Sequence, residues 1–113
     1  MSTYPRPFAI AVAPTRAGAV RIQVEGELDL STSPELDRVL RREISAGRHV
    51  VVDLSEVAFI DSTGLSTLVT ALRASNSNGG GLMVSPSLPA QVRRVLEVTG
   101  LNKVIPIAAE PSG

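Results

Sequence analysis

Val50-Val51-Val52-Asp53-Leu54 is a nearly unbroken β-branched run, the pattern of a central strand covered on both faces. The chain then passes through Val57-Ala58-Phe59-Ile60-Asp61-Ser62-Thr63-Gly64-Leu65. There it enters a segment whose Leu65, Leu68, Val69 and Leu72 form the apolar stripe of a helix. A strand that runs through capping residues into a helix is half of a strand-helix-strand unit, and it puts the connecting turn at the carboxyl edge of a sheet. Asn76-Ser77-Asn78-Gly79-Gly80-Gly81 ends the helix as a connector. The Gly-x-x-x-x-Gly-Lys-Ser/Thr pattern of a phosphate-binding loop is absent.

The same alternation continues on both sides. Toward the amino end, Val20, Ile22 and Val24 alternate with Arg21, Gln23 and Glu25 at the period of a half-buried strand. The apolar run Phe8 to Val12 pairs with it as a hairpin through Pro14-Thr15-Arg16-Ala17-Gly18. Leu36, Val39, Leu40 and Ile44 predict a first helix, begun by Ser33 or Thr32 as N-cap with Pro34 in its first turn and closed by Gly47. Toward the carboxyl end, Leu82-Met83-Val84 reads as a strand. Leu88 to Thr99 reads as a third helix stopped at Gly100, and Val104 to Ile107 as a last strand confined to a sheet edge by Pro106. Strands that alternate with helices run parallel, so the expected fold is α/β. It has a mixed, mostly parallel sheet of about five strands and three helices in the order β-β-α-β-α-β-α-β.

Composition narrows the function. A chain of 113 residues is one domain, expected to span 1–113 with its core at about 8–107 and flexible ends at 1–7 and 108–113. The 11 basic and 11 acidic residues leave no net field for capture by a nucleic acid or an anionic membrane. The absence of cysteine rules out disulfides and thiol chemistry and fits a cytoplasmic protein. No apolar run approaches the roughly 20 residues that cross a bilayer. His49, the single histidine, cannot form a metal cluster alone and reads as a strand-entry residue. Arg38, Arg41, Arg42, Arg93 and Arg94 read as exposed faces of two amphipathic helices.

Two constellations remain. Asp61, Ser62 and Thr63 are helix-capping types at the sheet edge where α/β folds place their sites, and Gly64 is expected to leave the first-turn amides open to an approaching protein. Glu25, Glu27, Asp29, Glu35 and Asp37 fall within thirteen residues that contain no Lys or Arg. A serine hydrolase is disfavoured: Ile60 stands where a Gly-x-Ser-x-Gly elbow needs its first glycine, and the only possible base, His49, lies at the other end of the central strand.

Asp61-Ser62-Thr63-Gly64-Leu65 resembles the signature of the STAS family of bacterial anti-sigma factor antagonists. Further agreement comes from Gly26-Glu27-Leu28-Asp29, from Val51-Val52-Asp53-Leu54-Ser55, and from Val92-Arg93-Arg94-Val95-Leu96 with Thr99-Gly100-Leu101, in matching order from about Val20 to Ile107. The resemblance implies a non-enzymatic binding module. Its unphosphorylated form would bind an anti-sigma factor that is also a serine kinase and so release a sigma factor. Phosphorylation of Ser62 would end that binding, and a separate serine phosphatase would restore it. Asp29, Asp61, Ser62, Thr63, Gly64 and Leu65 are the implied partner-binding residues. No cofactor or metal is implied, since ATP and magnesium belong to the kinase, and neither is direct contact with nucleic acid or membrane. The alternative within the family is a phosphorylation-independent scaffold or an accessory subunit of a transport or signalling complex.

Overall fold

The computed structural model describes residues 7–15 and 18–108. The middle of the expected first turn and most of both expected flexible ends lie outside these residues. The elements follow the sequence closely: β1 (Ala9–Pro14), β2 (Val20–Leu28), α1 (Ser33–Ser45), β3 (His49–Ile60), α2 (Ser62–Ser77), β4 (Gly81–Val84), α3 (Ala90–Thr99) and a short 3-10 turn at Leu101–Lys103. The sheet is four strands in the order β1-β2-β3-β4. β1 runs antiparallel to β2, and β2, β3 and β4 are parallel. The α/β class, the mixed sheet and the three helices are therefore as expected.

The strand count is one lower than the expected five. Val104 to Ile107 forms no strand; its one ladder contact is an isolated parallel bridge between Val84 and Ile107. The Val84 amide donates to the Pro106 carbonyl at 2.8 Å, and the Ala108 amide donates to the Val84 carbonyl at 2.8 Å. Pro106 has no N–H with which to extend a ladder. The apolar character that suggested a strand serves burial instead, for Ile105 is fully buried against the core. The third helix also starts later than expected, at Ala90, because Leu88 precedes Pro89 and the position before a proline is pushed out of the helical region.

β2 buries Val20, Ile22, Val24, Gly26 and Leu28 and turns Arg21, Gln23 and Glu27 outward, with Glu25 half-buried, as its alternation requires. In β3 the residues Val50, Val52 and Leu54 share the covered face with them, together with Leu36, Leu40 and Ile44 of α1 and Leu68 and Leu72 of α2. The opposite face is more open than the reading of a doubly covered strand implied. Arg21, Gln23 and Met83 are exposed and Val51 is half-buried. Asp53 is buried on that face by an ion pair with Arg21 from the neighbouring strand. The acid inside the β-branched run was the sign that one face is polar. No helix among the described residues is long and apolar enough to cross a membrane.

Candidate functional site

β2 and β3 run side by side to a common end, where Leu28 faces Ile60. On the way their register shifts twice, once between Gly26 and Glu27. The extra residue lies in β3 each time; opposite the second shift Gly26 of β2 has φ of 95°, which a residue with a side chain adopts only with strain. The Asp61 amide donates to the Leu28 carbonyl at 3.2 Å and ties the two strand ends together. The acidic loop that follows Leu28 and the serine turn that follows Ile60 thus leave the sheet from adjacent points.

At the serine turn Asp61 is the N-cap of α2. Its backbone is extended, and its Oδ1 accepts the amides of Thr63 at 2.9 Å and Gly64 at 3.1 Å. Its carbonyl accepts the first helical bond, from the Leu65 amide at 3.0 Å. These bonds satisfy the amides of Thr63, Gly64 and Leu65 from within, so these three are not left open to a partner as expected. Gly64 is buried for another reason. A Cβ there would stand 2.8 Å from Ile60 Cγ1, 2.9 Å from Leu28 Cγ and 3.0 Å from the Leu28 carbonyl oxygen. Only a glycine lets α2 approach the strand ends this closely. Leu65, also expected at the interface, is core: it is 4% exposed.

Ser62 occupies the first position of α2 and is exposed, while Thr63 behind it is half-buried. Ser62 borders a shallow groove lined by Leu65, Ser66, Val69, Thr70 and Arg73 of the same helix and by Thr99 and Leu101. An exposed hydroxyl, an N-terminal helix dipole and a neighbouring carboxylate therefore meet at one surface point.

The acidic loop is more ordered than a solvated loop. Asp29 Oδ1 accepts the Ser31 amide at 3.0 Å, the Ser31 hydroxyl at 2.8 Å and the Thr32 amide at 3.2 Å. The Thr32 hydroxyl accepts the Asp29 amide at 2.9 Å and donates to the Glu27 carbonyl at 2.8 Å. The Ser31 hydroxyl bond holds the Asp29 carboxyl below the usual carboxylate range; partial desolvation opposes it, and the Thr32 and Ser31 amides add to the lowering. Thr32 sits at the N-cap of α1, but its side chain makes no cap bond to that helix because it is used in the loop. Ser33, the other expected cap, is 2% exposed with a hydroxyl that has no hydrogen-bond partner among the described residues.

Sequence reasoning did not single out Ser31, nor did it place Thr32 or Gln91 at the site. Asp29-x-Ser31-Thr32 is a local turn pattern of short polar side chains and was legible as such. Gln91 was not. From α3 it accepts the Ile60 amide at 3.0 Å and donates to the Ile60 carbonyl at 3.1 Å, and so clamps the residue before the serine turn. Nothing in the spacing of α3 marks it.

The sequence profile of the STAS domain matches residues 11–112. The chain belongs to the STAS domain family. Among its relatives are the anti-sigma-B factor antagonists of Staphylococcus epidermidis and of Staphylococcus aureus strain NCTC 8325. Each is 38% identical over 85 residues, 74% of this chain and 78% of the relative. The crystal structure of an anti-sigma factor antagonist from Mycobacterium paratuberculosis superposes with a TM-score of 0.81 at 27% identity, covering 92% of this chain and 87% of that one. The unphosphorylated form of the anti-sigma factor antagonist SpoIIAA superposes with a TM-score of 0.74 at 21% identity, covering 90% of each chain, and supports the STAS fold.

Proposed function

We propose that this protein is a cytoplasmic anti-sigma factor antagonist whose docking is controlled by phosphorylation of Ser62. The unmodified form binds an anti-sigma factor with serine kinase activity and frees the sigma factor that the kinase had held. The kinase then transfers the γ-phosphoryl group of ATP to Ser62 Oγ, with release of ADP and the hydroxyl proton, and the modified protein lets go. A serine phosphatase hydrolyses the phosphoester and restores the binding form. The chain supplies the acceptor hydroxyl and the docking surface but no catalytic group, metal or cofactor.

One observation carries this reading: Ser62 is exposed at the first position of α2, beside residues whose polar groups are already bonded within the fold. A phosphoryl group would add about −1.5 to −2 charges and three acceptor oxygens there. The helix dipole favours an anion at that end, which opposes the repulsion from Asp61, so the fold tolerates the change. A docking partner meets a different balance. It must close over the added bulk and strip water from a dianion beside the Asp61 carboxylate, which costs several kcal/mol if the charge is left unpaired. Asp29, Asp61, Ser62 and Thr63 border the contact, while Gly64 and Leu65 support it from below. The names of the staphylococcal relatives point the same way.

The test is incubation of the purified protein with each anti-sigma kinase of its source organism and Mg-ATP, followed by mass spectrometry of the peptide that holds Ser62. A single phosphate on Ser62 is expected. Phosphate on another residue, or on none, contradicts the reading.

A further inference from the structure

Leu30 is 74% exposed, a large apolar side chain in the middle of the acidic loop. A leucine so exposed on a loose loop would be unremarkable, since its loss of freedom on binding would offset much of the gain. This loop is not loose. The bonds that Asp29 and Thr32 make around it fix the backbone on both sides of Leu30, and the amides of Thr32 and Ser33 donate to the Asp29 carbonyl at 3.3 and 2.8 Å. The Asp29 carboxylate serves this network through Oδ1, which accepts the Ser31 amide and hydroxyl and the Thr32 amide. The large apolar group that the loop offers outward is the side chain of Leu30.

Its nearest charged neighbours along the chain are acidic. Glu27 precedes it in β2 and Glu35 follows it in the first turn of α1; both are exposed, and among the described residues no ion pair occupies either. Asp37, by contrast, is paired with Arg41 at 2.8 Å. Phe59, opposite Glu27 in the sheet, is a second exposed apolar side chain at the same end. A rigidly presented leucine between free carboxylates is complementary to a hydrophobic pocket with a basic rim.

We infer that Leu30 is the apolar anchor by which the unmodified protein docks, that the partner receives it in a hydrophobic pocket bordered by Arg or Lys, and that Asp29 is a positioning residue for the loop. This rests on the docking function proposed above and adds the place and chemistry of the contact.

The test measures affinity for the anti-sigma kinase that modifies Ser62, at two salt concentrations, for the wild type, Leu30→Ala, Asp29→Ala and Glu27→Gln/Glu35→Gln. Leu30→Ala is expected to weaken binding about tenfold or more, as loss of a buried leucine contact does, with an unchanged melting temperature. The double glutamine variant is expected to bind more weakly and with a smaller salt dependence. Asp29→Ala is expected to weaken binding and to speed hydrogen exchange at the Ser31 and Thr32 amides, whereas Leu30→Ala leaves that exchange as it was. Wild-type affinity in Leu30→Ala overturns the inference while leaving the docking function intact. Weakened binding by Asp29→Ala with unchanged loop exchange overturns the positioning role, because the carboxylate would then touch the partner itself. A wild type that binds no such kinase overturns both this inference and the function on which it rests.

Discussion

Gly64 and Ser62 are two residues apart and answer to different demands. Ser62 is exposed, and its side chain is not needed to hold the turn; Asp61 does that through two amides. Gly64 is enclosed by Ile60, Leu28 and the Leu28 backbone at 3.0 Å or less. The backbone oxygen cannot swing aside and the two side chains are fully packed, so Gly64→Ala should destabilise the fold by about 1–3 kcal/mol, the usual range for overpacking. A lower urea midpoint is the expected result. An unchanged midpoint would mean that α2 can retreat from the strand ends, and the close coupling of helix and sheet at the site would be wrong. The sequence made this turn legible as a site, because acid, hydroxyl and glycine stood together, but it could not tell the residue that faces outward from the one that lets two elements meet.

Among the elements, helices were the more legible. Their apolar stripes at Leu36, Leu40 and Ile44 and at Leu65, Leu68 and Leu72 are the faces that reach the core. The third strand was harder. Its β-branched start was plain, but it runs on to Ile60 through two register shifts, and each shift changes which residues face the helices. Simple alternation fails across a bulge. The Val104 to Ile107 segment misled for a related reason: a short apolar run satisfies a strand, a bridge or a buried turn equally well.

Asp53 belongs to this scale, since it joins β3 to β2. Burial raises its pKa, yet the Ser55 hydroxyl and amide and the Arg21 guanidinium outweigh that and hold the carboxyl below the usual range. A carboxyl whose pKa is lower in the folded than in the unfolded chain stabilises the fold above the unfolded value of about 3.9, and that stability is lost as pH falls through the folded value. The stability difference between the wild type and Asp53→Asn should therefore be largest near pH 7 and shrink from about pH 5 downward. Arg21 is half-exposed, so solvent screens its share and the Ser55 bonds contribute more durably. Urea unfolding of both proteins at several pH values checks this. A difference that stays constant with pH would show that the charge of Asp53 is not what matters.

At the scale of the whole molecule, the parallel pairing of β2 with β3 is what turns two distant stretches of sequence into one surface. Asp29 and Asp61 lie thirty-two residues apart, yet each follows a strand whose last residues, Leu28 and Ile60, are register partners. The balanced charge of the chain gives no broad field for recognition, and the proposed docking therefore relies on local features of this edge. That edge combines an exposed serine, a locked acidic loop and an exposed leucine, all carried by the sheet rather than by a separate domain.

The most direct measurement is the affinity for the proposed anti-sigma kinase of three forms of the protein: unmodified, Ser62→Ala and stoichiometrically phosphorylated on Ser62, each with its melting temperature. Unmodified protein and Ser62→Ala should bind alike, and the phosphorylated form about a hundredfold or more weaker at a nearly unchanged melting temperature. Equal affinity in all three forms, or a phosphorylated form that binds weakly because it has unfolded, would contradict the switch.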